Sequence, residues 1–152
     1  RTALFAEKEK ASYAIVGCGV PGRGMGWFHG LQLIDGACES AMLSDVVEPW
    51  FLGGGRESDA GKAFGVDCVE KWEPLGVDFS ASLSDVFNNA PGACRIALIA
   101  GRTNDNPKLF REAIAAGATH ILLEKPGAPS VAELESMVDQ IARRLQPVRR
   151  GT

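Results

Sequence analysis

The chain has 152 residues, 45% of them hydrophobic and 23% charged, with a formal net charge of −3 at pH 7. That length and balance suit one domain with a core of its own and exclude a largely disordered chain. The acidic balance excludes a general nucleic-acid binder, and no apolar run has the length needed for direct membrane insertion.

Taken in chain order, residues 1–11 (RTALFAEKEKA) are mostly polar and read as an N-terminal arm. A compact first strand is expected over 12–16 (SYAIV), followed by a glycine-rich loop and a helix beginning near Met25. Residues 41–44 (AMLS) form the second expected strand, with Asp45 at its carboxyl end. Pro49 and the glycines at 53, 54 and 55 then argue against regular structure, before a helix over 56–64. Residues 66–79 read as a long, weakly patterned connection, and 82–89 as a helix capped by Ser82 with Asp85 three residues on.

The rhythm then sharpens. Residues 94–100 (CRIALIA) give the strongest strand signal, and 106–117 a helix with Pro107 in its first turn and Gly117 at its end. A second apolar strand is expected over 119–124, then an amphipathic helix over 130–145 with a Ser130–Glu133 capping box. Residues 146–152 make a basic tail. Its Arg149 and Arg150, with Arg143 and Arg144, either suit the negative pole of the last helix or touch a phosphate or a partner.

Cys18, Cys38, Cys68 and Cys94 include no CxxC pair, and no histidine stands at metal-ligand spacing from them. They read as small apolar side chains, with no metal and no disulfide framework, which points to a soluble protein of a reducing compartment, cytoplasm or organelle interior. Trp27, Trp50 and Trp72 mark protein contacts if exposed and fill the core edge if buried.

Strands apolar on both faces, alternating with helices, predict a parallel sheet covered on each side. The loop after the first strand adds chemistry. Gly17, Gly19 and Gly22 satisfy GxGxxG between strand and helix, the pattern that lets a backbone approach a pyrophosphate. A second register pairs Gly17 and Gly19 with Gly26 as the close-packing glycine and makes 20–25 an insertion; the helix pattern starts better at Gly26. Arg23 either reaches a phosphate from this loop or points into water. Asp45 is the candidate acceptor for an adenosine ribose, and its charge tilts the choice from NADP toward NAD. The fold class is therefore α/β, a Rossmann-like open, mostly parallel sheet with helices on both faces, as one dinucleotide-binding domain over 12–145.

The other informative bend is ILLEKPG, 121–127, where a strand ends in an acid, a lysine and a proline. At the carboxyl end of a parallel strand, Lys125 either projects into the ligand crevice, to donate a proton or hold a polar substrate, or is a surface lysine before a proline-fixed loop. The glycine loop, His29, Asp45, AIAAGATHILLEKP over 113–126 and the closing helix together resemble the nucleotide-binding half of the glucose–fructose oxidoreductase, inositol dehydrogenase and rhizopine-catabolism (Gfo/Idh/MocA) family. The resemblance runs over about 12–145. It implies a cofactor, NAD or NADP, in contact with Gly17, Gly19, Gly22, Arg23, Gly26, Asp45, Glu124 and Pro126. It also implies an active-site lysine at Lys125 and a cis bond before Pro126.

Departures from that family are as informative. The glycine loop is enlarged, GRTNDN over 101–106 replaces a Thr-Pro pair, and Asn106 falls where family members carry a histidine. The family's second domain, which supplies most of the substrate site, is not within these residues. His120, at a strand start, reads as structural. Two functions follow: an NAD(P)-dependent oxidoreductase half completed by a further domain or partner subunit, or a non-catalytic subunit of a larger complex in which the cofactor is lost. A nucleotide-sensing regulator ranks below both.

Overall fold

The computed structural model describes residues 11–36, 40–84, 86–87 and 94–145. Its strands are β1 (Ala11–Val16), β2 (Ala41–Val47), β3 (Asp78–Ser80), β4 (Arg95–Ile99) and β5 (His120–Leu123). All neighbours run parallel, in the order β3-β2-β1-β4-β5. The chain steps outward from β1 through β2 to β3, then crosses to β4 on the other side of β1. The open α/β architecture expected from the sequence is thereby present, and the β1/β4 boundary is its topological switch point.

The helices are α1 (Met25–Ile34), α2 (Pro49–Leu52), α3 (Asp59–Phe64), α4 (Glu70–Trp72), α5 (Asn106–Ala115) and α6 (Val131–Leu145). Successive strand residues feed opposite layers, as the two-residue period of a strand demands. Ala14, Val16, Ala97 and Ile99 pack with Phe110 and Ala113 of α5 and Met137 of α6. Ile15 and Leu98 pack on the other side with Phe51, Phe64 and Trp72, where Trp27 and Leu31 of α1 also lie. Each fully buried large side chain contributes on the order of 1.5–3 kcal/mol of hydrophobic stabilisation.

Local signals place the helix ends. Ser58 caps α3 by accepting from the Gly61 amide at 3.0 Å, and Ser130 accepts from the Glu133 amide at 3.3 Å before α6. Gly117, φ 89°, turns the chain left-handed just past α5.

The structure corrects several expectations. The second strand does not stop at residue 44 but continues to Val47, so Asp45 lies inside it. Residues 49–75 are largely helical: Pro49 opens α2, and α3 runs through a π turn (Gly65–Val69) into α4 and a final 3-10 turn (Glu73–Leu75). Phe64, Cys68 and Trp72, spaced by four, drive this segment against the sheet. The connection ends in a strand the pattern did not announce, β3, paired to β2 through Asp45↔Asp78, Val46↔Phe79 and Val47↔Ser80.

Ala11 is the first residue of β1 rather than part of the arm. The arm at 1–10, Cys38, the basic tail at 146–152, and residues 85 and 88–89 lie outside the described residues. Residues 82–84 and 86–87 form bends and turns in place of the helix expected over 82–89, because Ser82 accepts from the Ser84 amide at 3.3 Å and holds a local turn. Trp72 is buried, and Trp27 and Trp50 pack against the same core, so the tryptophans fill it. Cys18, Cys68 and Cys94 are free thiols. Among the described residues no helix is long and apolar enough to cross a membrane, and no cluster of His, Cys, Asp or Glu is arranged for a metal ion.

Candidate functional site at the strand tips

The glycine loop leaves β1 with Gly17, Gly19 and Gly22 all at positive φ, 78°, 76° and 77°. Only glycine adopts such angles without steric cost, so the loop's shape is written into its sequence. Gly17 also lies so close to the tip of β4 that a Cβ on it would stand 2.6 Å from the Gly101 Cα. The close-packing glycine of helix on strand is Gly26: a Cβ there would meet the Cys18 Cα at 2.7 Å and the Gly17 carbonyl at 2.8 Å. Gly22 has open space around it and belongs to the turn over 20–24, closed by the Arg23 and Gly24 amides on the Val20 carbonyl at 3.0 and 2.8 Å. Arg23 is exposed at that turn.

No side chain caps α1 at Gly24, and its first turn carries no acid. Its amino end therefore keeps the partial positive charge that suits an anion. Between the glycines, Cys18 is buried beside Cys68; hydrogen bonding between the two thiols, with burial, pushes Cys18 far up, so it stays an inert thiol.

Asp45 stands apart from this loop. It is 8% exposed and sits three residues, about 10 Å, below Glu48 along the strand. A β-bulge between Tyr13 and Ala14 of β1 makes Ser44 the extra residue, and its hydroxyl donates to the Asp45 carboxylate at 2.6 Å. Burial is the main cause that lifts Asp45 to about 6, with Ser44 opposing and Asp78 adding. The position assigned to a ribose-binding acid at the end of β2 is thus corrected: Val46 and Val47 prolong the strand, and the acid at its tip is Glu48.

Glu48 is 5% exposed and accepts a hydrogen bond from the Gly19 amide at 3.0 Å. Burial raises its carboxyl above the ordinary value, while the Gly19 and Cys18 amides pull it back down. The sequence held a signal for it, an acid immediately before Pro49, where a strand must end.

The second bend closes the site from the other side. Glu124 follows β5, its amide bonded to the Ile99 carbonyl at 2.9 Å, and the Lys125–Pro126 bond is cis, as the resemblance implies. His29 Nε2 of α1 lies 2.8 Å from Glu124 Oε1. That bond, first among its causes, holds the Glu124 carboxyl below its usual range. Asn106 of α5 donates from Nδ2 to the Pro126 carbonyl at 3.3 Å. Lys125 is exposed, and its ammonium makes no hydrogen bond among the described residues. Gly19 and Lys125 thus stand at the same end of the sheet, on strands separated only by β4.

A parallel sheet with a glycine loop at its switch point, an acid at the tip of the next strand and a lysine two strands away defines a dinucleotide-binding domain. The model of an oxidoreductase family with an NAD-binding Rossmann fold, Gfo/Idh/MocA, matches residues 11–151, and the chain belongs to that family. Among solved structures it is similar to apo scyllo-inositol dehydrogenase from Lactobacillus casei, with 18% identity and a TM-score of 0.62 over 90% of this chain and 34% of that one. It is likewise similar to the WlbA dehydrogenase from Chromobacterium violaceum in complex with NADH and UDP-GlcNAcA, at 25% identity and TM-score 0.62, covering 88% and 32%. Myo-inositol 2-dehydrogenase from Lactobacillus plantarum matches at 19% identity and TM-score 0.60, covering 88% and 33%. The chain thus spans about a third of the length of these structures. No curated protein sequence matches it.

Proposed function

We propose that this chain holds NAD(H) for an oxidoreductase whose substrate wall comes from polypeptide outside these 152 residues. The observation that carries the reading is the Glu48 carboxylate on the Gly19 amide at 3.0 Å, at the tips of β1 and β2. The residues present fit the cofactor. Gly17 and Gly19 put no side chain in the way of a ligand, and Gly26 brings the start of α1 down onto the loop, with no side-chain cap and with its Trp27 amide on the Cys18 carbonyl at 2.9 Å. Those amides suit a pyrophosphate, and Glu48 suits the two hydroxyls of an adenosine ribose.

A carboxylate at that point repels a 2′-phosphate, which favours NAD over NADP. The bound nicotinamide supplies the hydride acceptor or donor. Lys125, on the far side of the crevice, faces the oxygen of a carbonyl or hydroxyl substrate: as an ammonium it hydrogen-bonds a carbonyl oxygen and gives it a proton on reduction, and as the neutral amine it takes the hydroxyl proton on oxidation. Hydride transfer needs both reactants fixed in register, and that is the task left to the missing wall.

A second reading is a binding subunit that no longer takes a nucleotide. It is favoured by the turn over 20–24, which folds back until a Cβ on Gly24 would stand 2.9 Å from the Gly19 Cα. Calorimetric titration separates the two. The oxidoreductase reading expects NADH to bind about tenfold or more tighter than NADPH, and Glu48→Ala to abolish that preference. No binding of either nucleotide at millimolar concentration leaves the second reading in place.

A further inference from the structure

Asn106 opens α5 and is 2% exposed. Its Nδ2 donates to the Pro126 carbonyl, twenty residues on, at 3.3 Å. Its Oδ1 is buried with no hydrogen-bond partner. A buried acceptor left without a partner is a net cost to the fold, so a position serving packing alone is better filled by an apolar side chain of similar volume. What the amide contributes there is the bond that its nitrogen makes.

What it holds is the turn that carries Lys125. This turn is fixed from two sides: His29 of α1 holds the Glu124 carboxylate at 2.8 Å, and Asn106 of α5 holds the Pro126 carbonyl. Lys125 stands between the two anchors. The oxygen of Asn106 faces the chain just past β4, where a Cβ on Gly101 would come within 3.3 Å of it. Gly101 in turn abuts Gly17. Asn106 therefore joins the switch-point crevice to the β5 turn.

We infer that Asn106 is a positioning residue for Lys125: acting through the Pro126 carbonyl, it fixes where the ammonium stands relative to the nicotinamide end of the crevice. The nicotinamide part of this statement rests on the function proposed above; the hold on the turn does not.

Two variants test it in the full chain. Asn106→Asp keeps the shape and replaces the donor with an acceptor, and Asn106→Leu keeps the volume and removes both. Amide hydrogen exchange at Lys125 and Gly127 is expected to speed up about tenfold in each variant, with β1, β4 and α6 unchanged. Unchanged exchange at those two amides, or a speed-up spread over the whole molecule, overturns the inference. ADP and NADH provide the second readout. ADP affinity is expected to stay within about twofold while NADH weakens by about fivefold or more, because ADP lacks the nicotinamide end. Equal loss of both nucleotides makes Asn106 a structural residue and also overturns the inference. Wild-type protein that binds neither sinks the nucleotide reading alone, and the exchange result still decides the role of Asn106.

Discussion

His29 and Glu124 meet at 2.8 Å, tying the helix that follows the glycine loop to the turn that follows β5. The two bends at the strand tips are thereby one unit rather than two neighbouring loops. Both side chains are about one-fifth exposed, so the pair is screened by solvent and contributes on the order of 1 kcal/mol or less. Its worth lies in geometry.

The pH dependence of that pair has a defined sign. Glu124 is held below its ordinary value of 4.5, so its stabilising contribution is present above that value and is lost as pH falls through the lowered one. His29→Ala is expected to return the Glu124 carboxyl to its ordinary range. Carbon-detected NMR titration of the side-chain carboxyl reads this directly, and an unchanged titration would mean that His29 is not the cause.

Asp45 has the opposite sign. Its carboxyl is raised from 3.8 to about 6, so its contribution is full below 3.8 and is lost as pH rises through about 6. Asp45→Asn keeps the acceptor for Ser44 and removes the buried charge. Urea unfolding is expected to find the variant more stable than wild type by on the order of 1–3 kcal/mol near pH 8, with little difference near pH 4. Because Asp45 lies inside the sheet, its replacement should leave nucleotide affinity unchanged.

Two glycines separate the registers of the loop. A methyl at Gly26 meets backbone of Gly17 and Cys18 that cannot move aside, whereas a methyl at Gly22 meets open space and only the strain of φ 77°. Gly26→Ala is expected to destabilise by about 2–3 kcal/mol or more and Gly22→Ala by about 1–2 kcal/mol, read by denaturant midpoint at constant slope. Equal costs would mean that Gly26 is not the packing glycine.

Much of this fold is legible in the sequence wherever local chemistry and tertiary packing agree. The β4–α5–β5–α6 half reads well because Pro107, Gly117 and Ser130 punctuate it and its strands are apolar on both faces. The half from β2 to β3 reads poorly. Three residues of β3 carry no pattern of their own, and only pairing with β2 makes Asp78–Ser80 a strand. Phe64, Cys68 and Trp72 keep the four-residue spacing of a helix face, but Pro49 and the glycines at 53, 54 and 55 before them and Pro74 after them break the pattern, so the segment reads as a connection.

In the site, the glycines and Lys125 are marked by motif, but the acid at the tip of β2 is not the one the pattern points to. Asp45 is the first carboxylate after AMLS, yet Val46 and Val47 are β-branched and buried on opposite faces, which extends the strand by three residues to Pro49's doorstep. Asn106 declared its position by sequence alone and its hydrogen bond only in three dimensions.

The most direct measurement is amide NMR of the nitrogen-15-labelled full chain during addition of NADH. Binding in the crevice should shift the Gly17, Gly19 and Glu48 amides first, with Lys125 following in saturable fashion, and AMP should reproduce the Glu48 shift but not the Lys125 shift. Spectra that stay unchanged to millimolar NADH, or shifts confined to another face of the sheet, would contradict it.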